Sequence, residues 1–429
     1  MPGAALAAYR TLSPLLPSLL RLLSPRIASL KKFGELRKGL FADIESRLRR
    51  CPKPACRLWV HASSVGEFEQ ARPVVAELKR RLPGLDVVVS FLSDSGYEAR
   101  KDYAAAAAVF YLPLDTPANA RKLVELVRPD IFMLMRYDFW PNHLEAIRRS
   151  GAKMVLAAAA LPPGSAYFNP LLKGFYRSLF ALFDAIFTVE GRDREAFRSE
   201  FGCSNVVQAG DPRFDQVDER RRLSDERAAR LKPMFRGRRV LVAGSTWEAD
   251  EAVLLPSWLP LRDRLSLVVV PHKVERPNID RILQLLRSRG LEAVTISSIG
   301  DSFEPERQVL VVDQTGYLAE LYTIASLAYV GGGFGVNVHN TIEPAVHGIP
   351  VLFGPNHRKS PEALGLIENG GATVVTGEAE LRSALERFAG HPTIIREAGV
   401  RAGEYVRVRL GATRTVADAM ARMCPGQEG

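Results

Sequence analysis

The sequence predicts an α/β protein with two successive domains, each built on a parallel sheet covered by helices. From residue 58 onward, short apolar segments alternate with longer amphipathic segments, and repeated strand–helix–strand order produces parallel sheets. The alternation stops in a highly charged segment at 216–238 and resumes at 239. Two such halves joined by a connector indicate two Rossmann-like domains that face a cleft.

Six buried strands are predicted in the first half. Each is a short, continuous apolar run, which is typical of a strand buried on both faces of a sheet. The runs occupy 58–62, 87–91, 109–113, 131–135, 154–159 and 185–190. Between them, 68–82 and 116–128 carry apolar residues at helical spacing, so we expect helices there.

The second half repeats this organisation with six further strands. They are predicted at 239–245, 265–271, 292–297, 308–313, 327–333 and 350–355. The segment 216–238 holds no strand candidate and is predicted to be a linker that contains a helix. We therefore expect an N-terminal segment at 1–45, a first domain at 46–215, the linker, and a second domain at 239–429. The last helix is a candidate to pack back on the first domain.

The composition is that of a globular protein with an excess of positive charge. Of 429 residues, 47% are hydrophobic and 25% are charged, so most of the chain is expected to fold. A formal charge of +10 favours a nucleic acid, an anionic membrane face or a phosphorylated substrate as partner. No basic stretch is interleaved with stacking aromatic residues, so nucleic-acid binding is not expected.

The N-terminal segment combines an apolar run with a basic cluster. The run at 12–23 is interrupted by Pro14, Pro17 and Arg21 and is shorter than the roughly 20 apolar residues that span a bilayer. It also lacks the basic start and the cleavage site of a signal peptide. The basic residues that follow are Arg26, Lys31, Lys32, Arg37 and Lys38. This order is typical of an interfacial anchor on an anionic leaflet, and a helix packed on the domain is the alternative.

The four cysteines give no sign of a zinc site. Cys51 and Cys56 lie close together in CPKPAC, but the paired CxxC and nearby histidines of a zinc site are missing. Together with Cys203 and Cys424 they are expected to be ordinary reduced thiols or surface residues, which fits a cytoplasmic compartment.

Three polar motifs follow predicted strands of the first half, at the sheet edge where ligands bind in open parallel sheets. In HASSVGEFEQARP, Gly66 permits close backbone approach and Glu67 begins a helix whose free N–H groups favour anions. Glu67 is therefore a candidate functional carboxylate at the mouth of the cleft. The alternative is a capping box, in which Ser64 and Glu67 satisfy the helix start.

The other two motifs of the first half supply charges of both signs. MRYDFWPNHLEA projects Arg136 and Asp138 toward the cleft, unless the two form a surface ion pair. AGDPRFDQV offers Arg213, which can meet a phosphate through two hydrogen bonds. The same motif also has the composition of a hinge turn.

Two motifs of the second half follow strands in the same way. AGSTWEADE places Gly244, Ser245 and Thr246 between a strand and a helix, as a backbone nest suited to phosphate. It lacks the GK[ST] ending of a P-loop, so ATPase chemistry is not expected. VVVPHKVER presents His272 and Lys273, which suit a nucleotide or a leaving phosphate, although such residues are also common as surface charges.

The densest signal is the glycine-rich segment at 329–355. Its glycines are Gly331, Gly332, Gly333 and Gly335 in the first loop. His339 and Asn340 follow, and Glu343 begins the next helix, where its carboxylate can accept two ribose hydroxyls. This combination predicts nucleotide-sugar binding, with a tight strand–helix turn as the alternative.

No metal site is expected, because the chain has no Asp-x-Asp motif and no His/Asp/Glu set with metal-ligand spacing. The charge of a leaving group is expected to meet Arg213, Lys273 and helix starts instead.

Seven motifs, in order, resemble those of the Kdo (3-deoxy-D-manno-octulosonic acid) transferases, over about residues 58–375. They are LWVHASSVGE, DFWPN, GDPRFD, GSTWEADE, VVPHKVER, VVDQTGYLAELY and VGGGFGVNVHNTIEPA. The resemblance implies a B-type glycosyltransferase fold and transfer of Kdo from CMP-Kdo to a lipid A precursor (lipid IVA), without a further cofactor. It also implies attachment to the cytoplasmic face of the bacterial inner membrane, peripherally or through one N-terminal anchor.

The resemblance assigns roles residue by residue. Glu67 takes the position of the general base, and Asp138 and Arg213 take positions that stabilise the transition state. The first domain would bind the acceptor and the second the CMP-sugar. The predicted CMP-sugar site consists of Gly244, Ser245, Thr246, His272, Lys273, Thr315, Gly316, Tyr317, Gly332, Gly333, Asn340, Thr341 and Glu343.

Several positions depart from the family pattern and indicate a divergent branch. Arg136 replaces a glutamate, Asp138 is one methylene shorter than the usual residue, and Arg213 replaces a lysine. Tyr317 stands at a glutamate position, and Ala160 begins Ala-Leu-Pro where Arg-Leu-Ser is common. The alternatives are another nucleotide-sugar transferase, a UDP-sugar epimerase of the same fold, or a catalytically silent, membrane-associated sugar-nucleotide binder.

Overall fold

The computed structural model describes residues 3–49, 55–300 and 302–425. These residues form two compact units. The first unit consists of the residues up to Asp215 and of the C-terminal segment that begins at Leu410. The second unit is Gln216–Arg409. Each unit contains one seven-stranded parallel sheet with apolar cores on both faces. The predicted class of two α/β domains is confirmed.

The first sheet has the strand order β3-β2-β1-β4-β5-β6-β7, so it extends in both directions from the central pair β1 and β4. Its strands are β1 (Cys56–Ala62), β2 (Leu85–Phe91), β3 (Ala108–Tyr111), β4 (Ile131–Met135), β5 (Lys153–Ala159), β6 (Ala185–Thr188) and β7 (Val206–Gln208). All six strands predicted for this half are present. The sequence prediction misses β7, because this edge strand is only three residues long and two of them are exposed.

Eleven helices accompany the first sheet within the described residues. They are α1 (Gly3–Leu12), α2 (Leu16–Leu23), α3 (Ala28–Glu35), α4 (Leu40–Arg49), α5 (Val65–Arg81), α6 (Asp94–Arg100), α7 (Pro117–Val127), α8 (Pro141–Arg149), α9 (Pro170–Phe180), α10 (Gly191–Ser199) and, from the C-terminal segment, α19 (Ala412–Ala421). Successive side chains of a strand point to opposite faces, so β1 contributes Trp59 to one core and Leu58 and Val60 to the other.

The second sheet has the order β10-β11-β9-β8-β12-β13-β14. Its central pair is β8 and β12, just as β1 and β4 form the central pair of the first sheet. Its strands are β8 (Val240–Thr246), β9 (Ser266–Pro271), β10 (Glu292–Thr295), β11 (Gln308–Val311), β12 (Leu327–Val330), β13 (Val351–Phe353) and β14 (Ala372–Val374). The sequence prediction misses β14, another three-residue edge strand.

The remaining helices belong to the second unit, except that the first turn of α11 belongs to the first unit. They are α11 (Pro212–Arg227), α12 (Glu248–Trp258), α13 (Arg276–Ser288), α14 (Leu318–Tyr322), α15 (Ile342–Ala345), α16 (Pro361–Glu368), α17 (Glu378–Gly390) and α18 (Pro392–Arg407). Helix α11 crosses the boundary between the units and occupies much of the segment that was expected to be a linker.

The C-terminal helix α19 packs on α5 of the first unit, where Val416, Ala417 and Met420 join the apolar core. The turn that leads into α19 is held by Asp215, whose carboxylate accepts hydrogen bonds from the backbone N–H groups of Gly411 (2.6 Å) and Thr413 (2.7 Å). The end of the chain is thus a structural part of the first domain.

A disulfide joins Cys56 at the start of β1 to Cys424 after α19, with a Cα–Cα distance of 5.8 Å. The expectation of reduced or surface thiols is therefore wrong for these two residues, which are both buried. Cys203 is a free, buried thiol, and Cys51 lies outside the described residues. The bond spans 368 residues of sequence, so spacing along the chain carries no sign of it.

The N-terminal helices are fastened to the first domain by polar contacts. Tyr9 donates a hydrogen bond to Asp115 (2.9 Å), and Arg10 pairs with Glu145 (2.6 Å). Arg37 donates to two backbone carbonyls of the domain. The packed-helix alternative is thus realised, and none of the described helices is long and apolar enough to cross a bilayer.

We predict that loss of the Cys56–Cys424 bond destabilises the first domain. A disulfide restricts the unfolded chain, so Cys424→Ser should lower the free energy of unfolding by about 2–4 kcal/mol. The measurement is thermal unfolding of wild type and variant, each with and without reductant. Reductant should lower the unfolding midpoint of wild type to that of Cys424→Ser. The matched control, Cys203→Ser, keeps the disulfide, so reductant should lower its midpoint by the same amount as in wild type. An unchanged wild-type midpoint in reductant would contradict the prediction.

Candidate functional site

Glu67 occupies the third position of α5, immediately beyond the carboxyl end of β1. Ser64 is the N-cap, and its hydroxyl accepts the Glu67 backbone N–H (3.4 Å). The Glu67 side chain turns back to Ser63, where Oε2 accepts hydrogen bonds from the backbone N–H (2.7 Å) and the hydroxyl (2.9 Å). The capping alternative is therefore realised with one difference: the Glu67 carboxylate binds the backbone N–H of Ser63 and not that of the N-cap residue Ser64. A capped carboxylate is held in one orientation, so capping and a chemical role are compatible.

Asp138 follows β4 and is joined to a buried histidine that the sequence analysis did not single out. Its Oδ2 lies 2.8 Å from Nε2 of His61, whose side chain is 2% exposed. Nδ1 of His61 lies 2.8 Å from the hydroxyl of Ser90, and that hydroxyl also receives the indole N–H of Trp59 (2.8 Å). Asp138 thus ends a chain of four hydrogen-bonded side chains.

Nδ1 of His61 also lies 3.1 Å from the Ser90 backbone carbonyl, so either ring nitrogen can carry the proton, and one of these arrangements uses the Ser90 hydroxyl as donor. Because the Ser90 hydroxyl accepts from Trp59, it can donate its own proton to Nδ1 of His61. Nε2 then carries the hydrogen and donates it to the Asp138 carboxylate. The signal in the sequence was the alternation along β1, which places Trp59 and His61 on the same face of the sheet.

The two arginines of this edge are held by a buried carboxylate. Asp211, 3% exposed, accepts from Nε of Arg213 (2.9 Å) and lies 3.9 Å from the guanidinium of Arg136. Burial opposes ionisation of Asp211, but the charge and hydrogen bonds of Arg213 outweigh it, so the pKa of Asp211 is below its ordinary value. Arg136 also donates to Gln70 of α5 (2.6 Å).

Glu67 and Asp138 lie at the same edge of the sheet, because Glu67 is bound by Ser63 directly after β1 and Asp138 is bound by His61 of β1. The pKa of Tyr167 is raised mainly by burial and further by its neighbours, including Asp138 and Glu67. The pKa of Tyr137 is raised in the same way, with a contribution from Glu67. The first unit therefore gathers two carboxylates, two arginines and two tyrosines at the carboxyl ends of its central strands.

In the second unit, the end of β8 is irregular. Ser245 has a φ of +55°, and the pairing of β8 with β9 shifts between Gly244 and Thr246. Such a bulge re-aims the strand end. Thr246 is buried, and its hydroxyl donates to Glu251 (3.0 Å), so this side chain is occupied within the protein. The backbone around Gly244 and Ser245 remains the candidate for contact with phosphate.

His272 lies in an aromatic cluster with Trp247 and His339. Its ring is 4.6 Å from Trp247 and 4.3 Å from His339, centroid to centroid, and both pairs are stacked. The Trp247 indole N–H donates to Nε2 of His339 (2.8 Å), and the Lys273 ammonium lies 5.7 Å above the Trp247 ring. Burial lowers the pKa of His272 and of His339, and Lys273 lowers that of His272 further. The two imidazoles are therefore favoured in their neutral form.

The glycine-rich loop is organised by Asp250 of α12, which the sequence analysis did not single out. This fully buried carboxylate accepts hydrogen bonds from the hydroxyl of Tyr329 (2.9 Å) and the backbone N–H of Gly332 (2.8 Å). Gly332 has a φ of +90°, and a Cβ there would lie 2.4 Å from the carbonyl of Asn337. A Cβ on Gly333 would lie 2.5 Å from the backbone of Gly354, so the loop requires glycine at both positions.

Glu343 lies at the start of α15 and pairs with Arg220 at 3.3 Å. Burial raises the pKa of Glu343, against the opposing effects of Arg220 and Asn340. Asn340 is exposed, and its side-chain oxygen accepts the Ile342 N–H (3.0 Å), which caps the same short helix. Thr341 is fully buried, and its hydroxyl has no hydrogen-bond partner within the described part of the chain.

Thr315, Gly316 and Tyr317 form the turn between β11 and α14. Thr315 and Gly316 are exposed, Gly316 has a φ of +92°, and Tyr317 precedes the first residue of α14. Among the residues that the structure describes, no group of three or more His, Cys, Asp or Glu side chains is arranged to hold a metal ion.

Comparison with solved structures defines the class of protein by its fold. The chain is similar to UDP-GlcNAc 2-epimerase from Neisseria meningitidis, with a TM-score of 0.57 and 15% identity over 85% of this chain and 100% of that one. It is also similar to MurG from Acinetobacter baumannii, with a TM-score of 0.54 and 15% identity over 86% and 99% of the two chains. The fold is that of the B-type glycosyltransferases and related epimerases.

Sequence relatives identify the branch within that class. Residues 37–216 match the family described as 3-Deoxy-D-manno-octulosonic-acid transferase (kdotransferase). The relative of that name from Aquifex aeolicus is 29% identical over 76% of this chain and 84% of its own length. The one from Chlamydophila psittaci is 26% identical over 86% of both chains. The resemblance carried by the seven motifs is therefore confirmed by a family match over the first half of the chain and by relatives that bear the same name.

We predict that Asp250→Ala destabilises the second domain. Its loss leaves the Gly332 N–H and the Tyr329 hydroxyl without their acceptor, which should cost about 1–3 kcal/mol for each buried group. Urea unfolding, followed by fluorescence, measures the effect. Asp263→Ala, at an 87% exposed side chain of the same unit, is the matched control and should change the midpoint little. Equal midpoints for the two variants would show that Asp250 does not hold the loop.

Proposed function

We propose that the protein transfers Kdo from CMP-Kdo to a lipid A precursor, lipid IVA, with inversion at the anomeric carbon. The observation that carries the proposal is the position of Glu67, held by Ser63 at the carboxyl end of the strand whose His61 binds Asp138. The confirmed Kdo transferase relationship supports Kdo as the transferred sugar. The donor, the acceptor and the residue roles below are part of the proposal.

In the proposed reaction, a hydroxyl oxygen of the acceptor sugar attacks the anomeric carbon of Kdo. The bond from that carbon to the phosphate oxygen of CMP breaks, and CMP leaves with the bonding electrons. The hydroxyl proton passes to Glu67, for which Oε1 is the favoured acceptor because Oε2 already receives both hydrogen bonds from Ser63. A positioned general base typically contributes about 10²–10⁴ in rate.

Charge around the reacting carbon is assigned to Asp138 and the arginine pair. A negative carboxylate held in place by His61 can stabilise positive charge that develops on the sugar ring as the bond to CMP lengthens. Arg213 is oriented by Asp211 and can meet the Kdo carboxylate or the phosphate through its planar guanidinium. The role of His61 in this scheme is to position Asp138.

The CMP moiety is assigned to the second domain. Glu343 would accept the ribose hydroxyls, replacing part of its contact with Arg220. The backbone around Gly244 and Ser245 would approach the phosphate, and Lys273 would offset its charge. The exposed turn Thr315–Tyr317 is assigned to the same donor site.

The proposed location is the cytoplasmic face of the inner membrane. The acceptor is a lipid, and the N-terminal helices combine exposed leucines with basic residues, as interfacial segments do. Binding of nucleic acid is not part of the proposal.

The first test is transfer of labelled Kdo, from CMP-Kdo generated in situ, to tetraacylated lipid A precursor. Glu67→Gln keeps the size of the side chain but removes the base, so turnover should fall by about 10²–10⁴ while CMP binding is retained. Glu98→Gln, at an exposed side chain of the neighbouring helix α6, is the control and should keep wild-type turnover.

Normal turnover by Glu67→Gln would overturn the assignment of the base. If wild type forms no product but binds CMP, the acceptor is wrong or the protein is a silent binder. If UDP competes better than CMP, the donor assignment fails and the epimerase-like alternative gains support.

We further predict that CMP affinity depends on pH through Glu343. The ionised carboxylate accepts ribose hydroxyls, and the pKa of this group is raised by burial. Affinity should therefore be full above that pKa and fall as pH decreases through it, at a higher pH than an ordinary glutamate would show. Calorimetric titration across pH measures this. Glu343→Gln should bind weakly without that dependence, whereas Glu386→Gln on α17 should follow wild type; parallel curves for all three would contradict the prediction.

A further inference from the structure

The N-terminal helices line an open cavity of about 610 Å³, whose wall on the first domain is the segment that follows β3. Helices α2, α3 and α4 and the segment after β3 form its walls. We call it the N-terminal cavity, and its apolar lining consists of Pro17, Leu20, Leu30, Phe33, Leu40 and Phe41. Cavities that hold small molecules measure roughly 300–1,000 Å³, so this one is large enough for a ligand.

Gly34 leaves part of the N-terminal cavity open. It lies within α3, and a Cβ built there meets only Leu20, at an ordinary contact distance of 3.9 Å. A longer side chain at this position would extend into the space beside Leu20. The cavity can therefore be filled by one substitution without a clash against the backbone.

Three exposed cations line the cavity, Arg21, Lys31 and Lys38, and the lining also contains the half-buried Arg37 and one exposed carboxylate, Glu35. Among the described residues, no carboxylate forms an ion pair with any of the three. Their neighbour Lys32 differs, because its ammonium is paired with Asp94. The lining thus joins apolar walls to positive charge that is available to an anionic group.

The outer surface of the same helices is also apolar. Leu12, Leu15, Leu19 and Leu22 follow one another at helical spacing and are each 49–63% exposed. A contiguous exposed row of leucines marks a surface that contacts another apolar phase. Because basic residues flank this row, the phase that fits best is the interface of an anionic membrane.

We propose that the N-terminal cavity holds one acyl chain of a phosphate-bearing membrane lipid. Hydrocarbon needs no hydrogen-bond partner from the apolar walls, and the lipid phosphate meets Arg21, Lys31 and Lys38. The row of leucines lies on the bilayer and brings the lipid to the cavity. The inference extends the membrane location proposed above, but it concerns a bound lipid chain rather than the transferred sugar.

The experiment uses the full chain with phosphatidylglycerol vesicles that contain a photoreactive phosphatidylglycerol, labelled near the end of one acyl chain. After irradiation, mass spectrometry locates the labelled peptides. Labelling is expected to concentrate at residues 30–41, which line the cavity and lie outside the row of leucines. Gly34→Leu should reduce that labelling several-fold while co-sedimentation with the vesicles stays at the wild-type level, because the row of leucines is intact.

Two controls make the result specific. Gly174→Leu places the same side chain in open space on α9 and should label like wild type. Replacing Lys31 and Lys38 by glutamine should reduce labelling in phosphatidylglycerol vesicles and make it similar to that in phosphatidylcholine. Thermal unfolding of each variant checks that the domain remains folded.

Labelling spread over the row of leucines, unchanged by Gly34→Leu, would overturn the proposal and leave only surface docking. Absence of labelling at 30–41 in vesicle-bound wild type would overturn it as well. Neither outcome depends on CMP-Kdo or on turnover, so failure here is distinguishable from failure of the proposed transferase reaction.

Discussion

The parallel direction of the strands is the constraint on which both candidate sites depend. In a parallel sheet all strands end at the same edge, so residues that follow different strands are brought together there. β1 and β4 are neighbours at the centre of the first sheet, and this places Glu67 near Asp138. β8 and β12 are neighbours in the second, which puts the Gly244 turn against the glycine-rich loop.

Buried polar groups then fix the geometry that the strand order permits. A carboxylate or imidazole inside a domain is costly unless its hydrogen bonds are satisfied. Asp250 meets this requirement by binding the glycine-rich loop, and His61 does so by linking Ser90 to Asp138. The arginines of the first unit are subject to the same rule, since Asp211 holds Arg213 in a defined orientation. Asp138, Arg213 and the glycine-rich loop are thus held in defined orientations by buried groups.

Much of the fold and several site residues could be predicted because they leave local signals. Apolar runs mark strands that are buried on both faces, so twelve of the fourteen strands are evident, whereas β7 and β14 are short, partly exposed edges. Glu67, Glu343 and the glycine-rich loop stand beside strand ends and helix starts. The seven ordered motifs also sufficed to indicate the Kdo transferase family.

The two α/β domains and the residues at their strand ends follow from local signals in the sequence, because hydrophobic periodicity and turn chemistry are local. Contacts between those residues are evident only in the folded chain. The pairing of His61 with Asp138, the disulfide between Cys56 and Cys424, and the packing of α19 on the first domain join distant positions. Such contacts depend on strand order and chain return in three dimensions, for which spacing along the chain provides no measure.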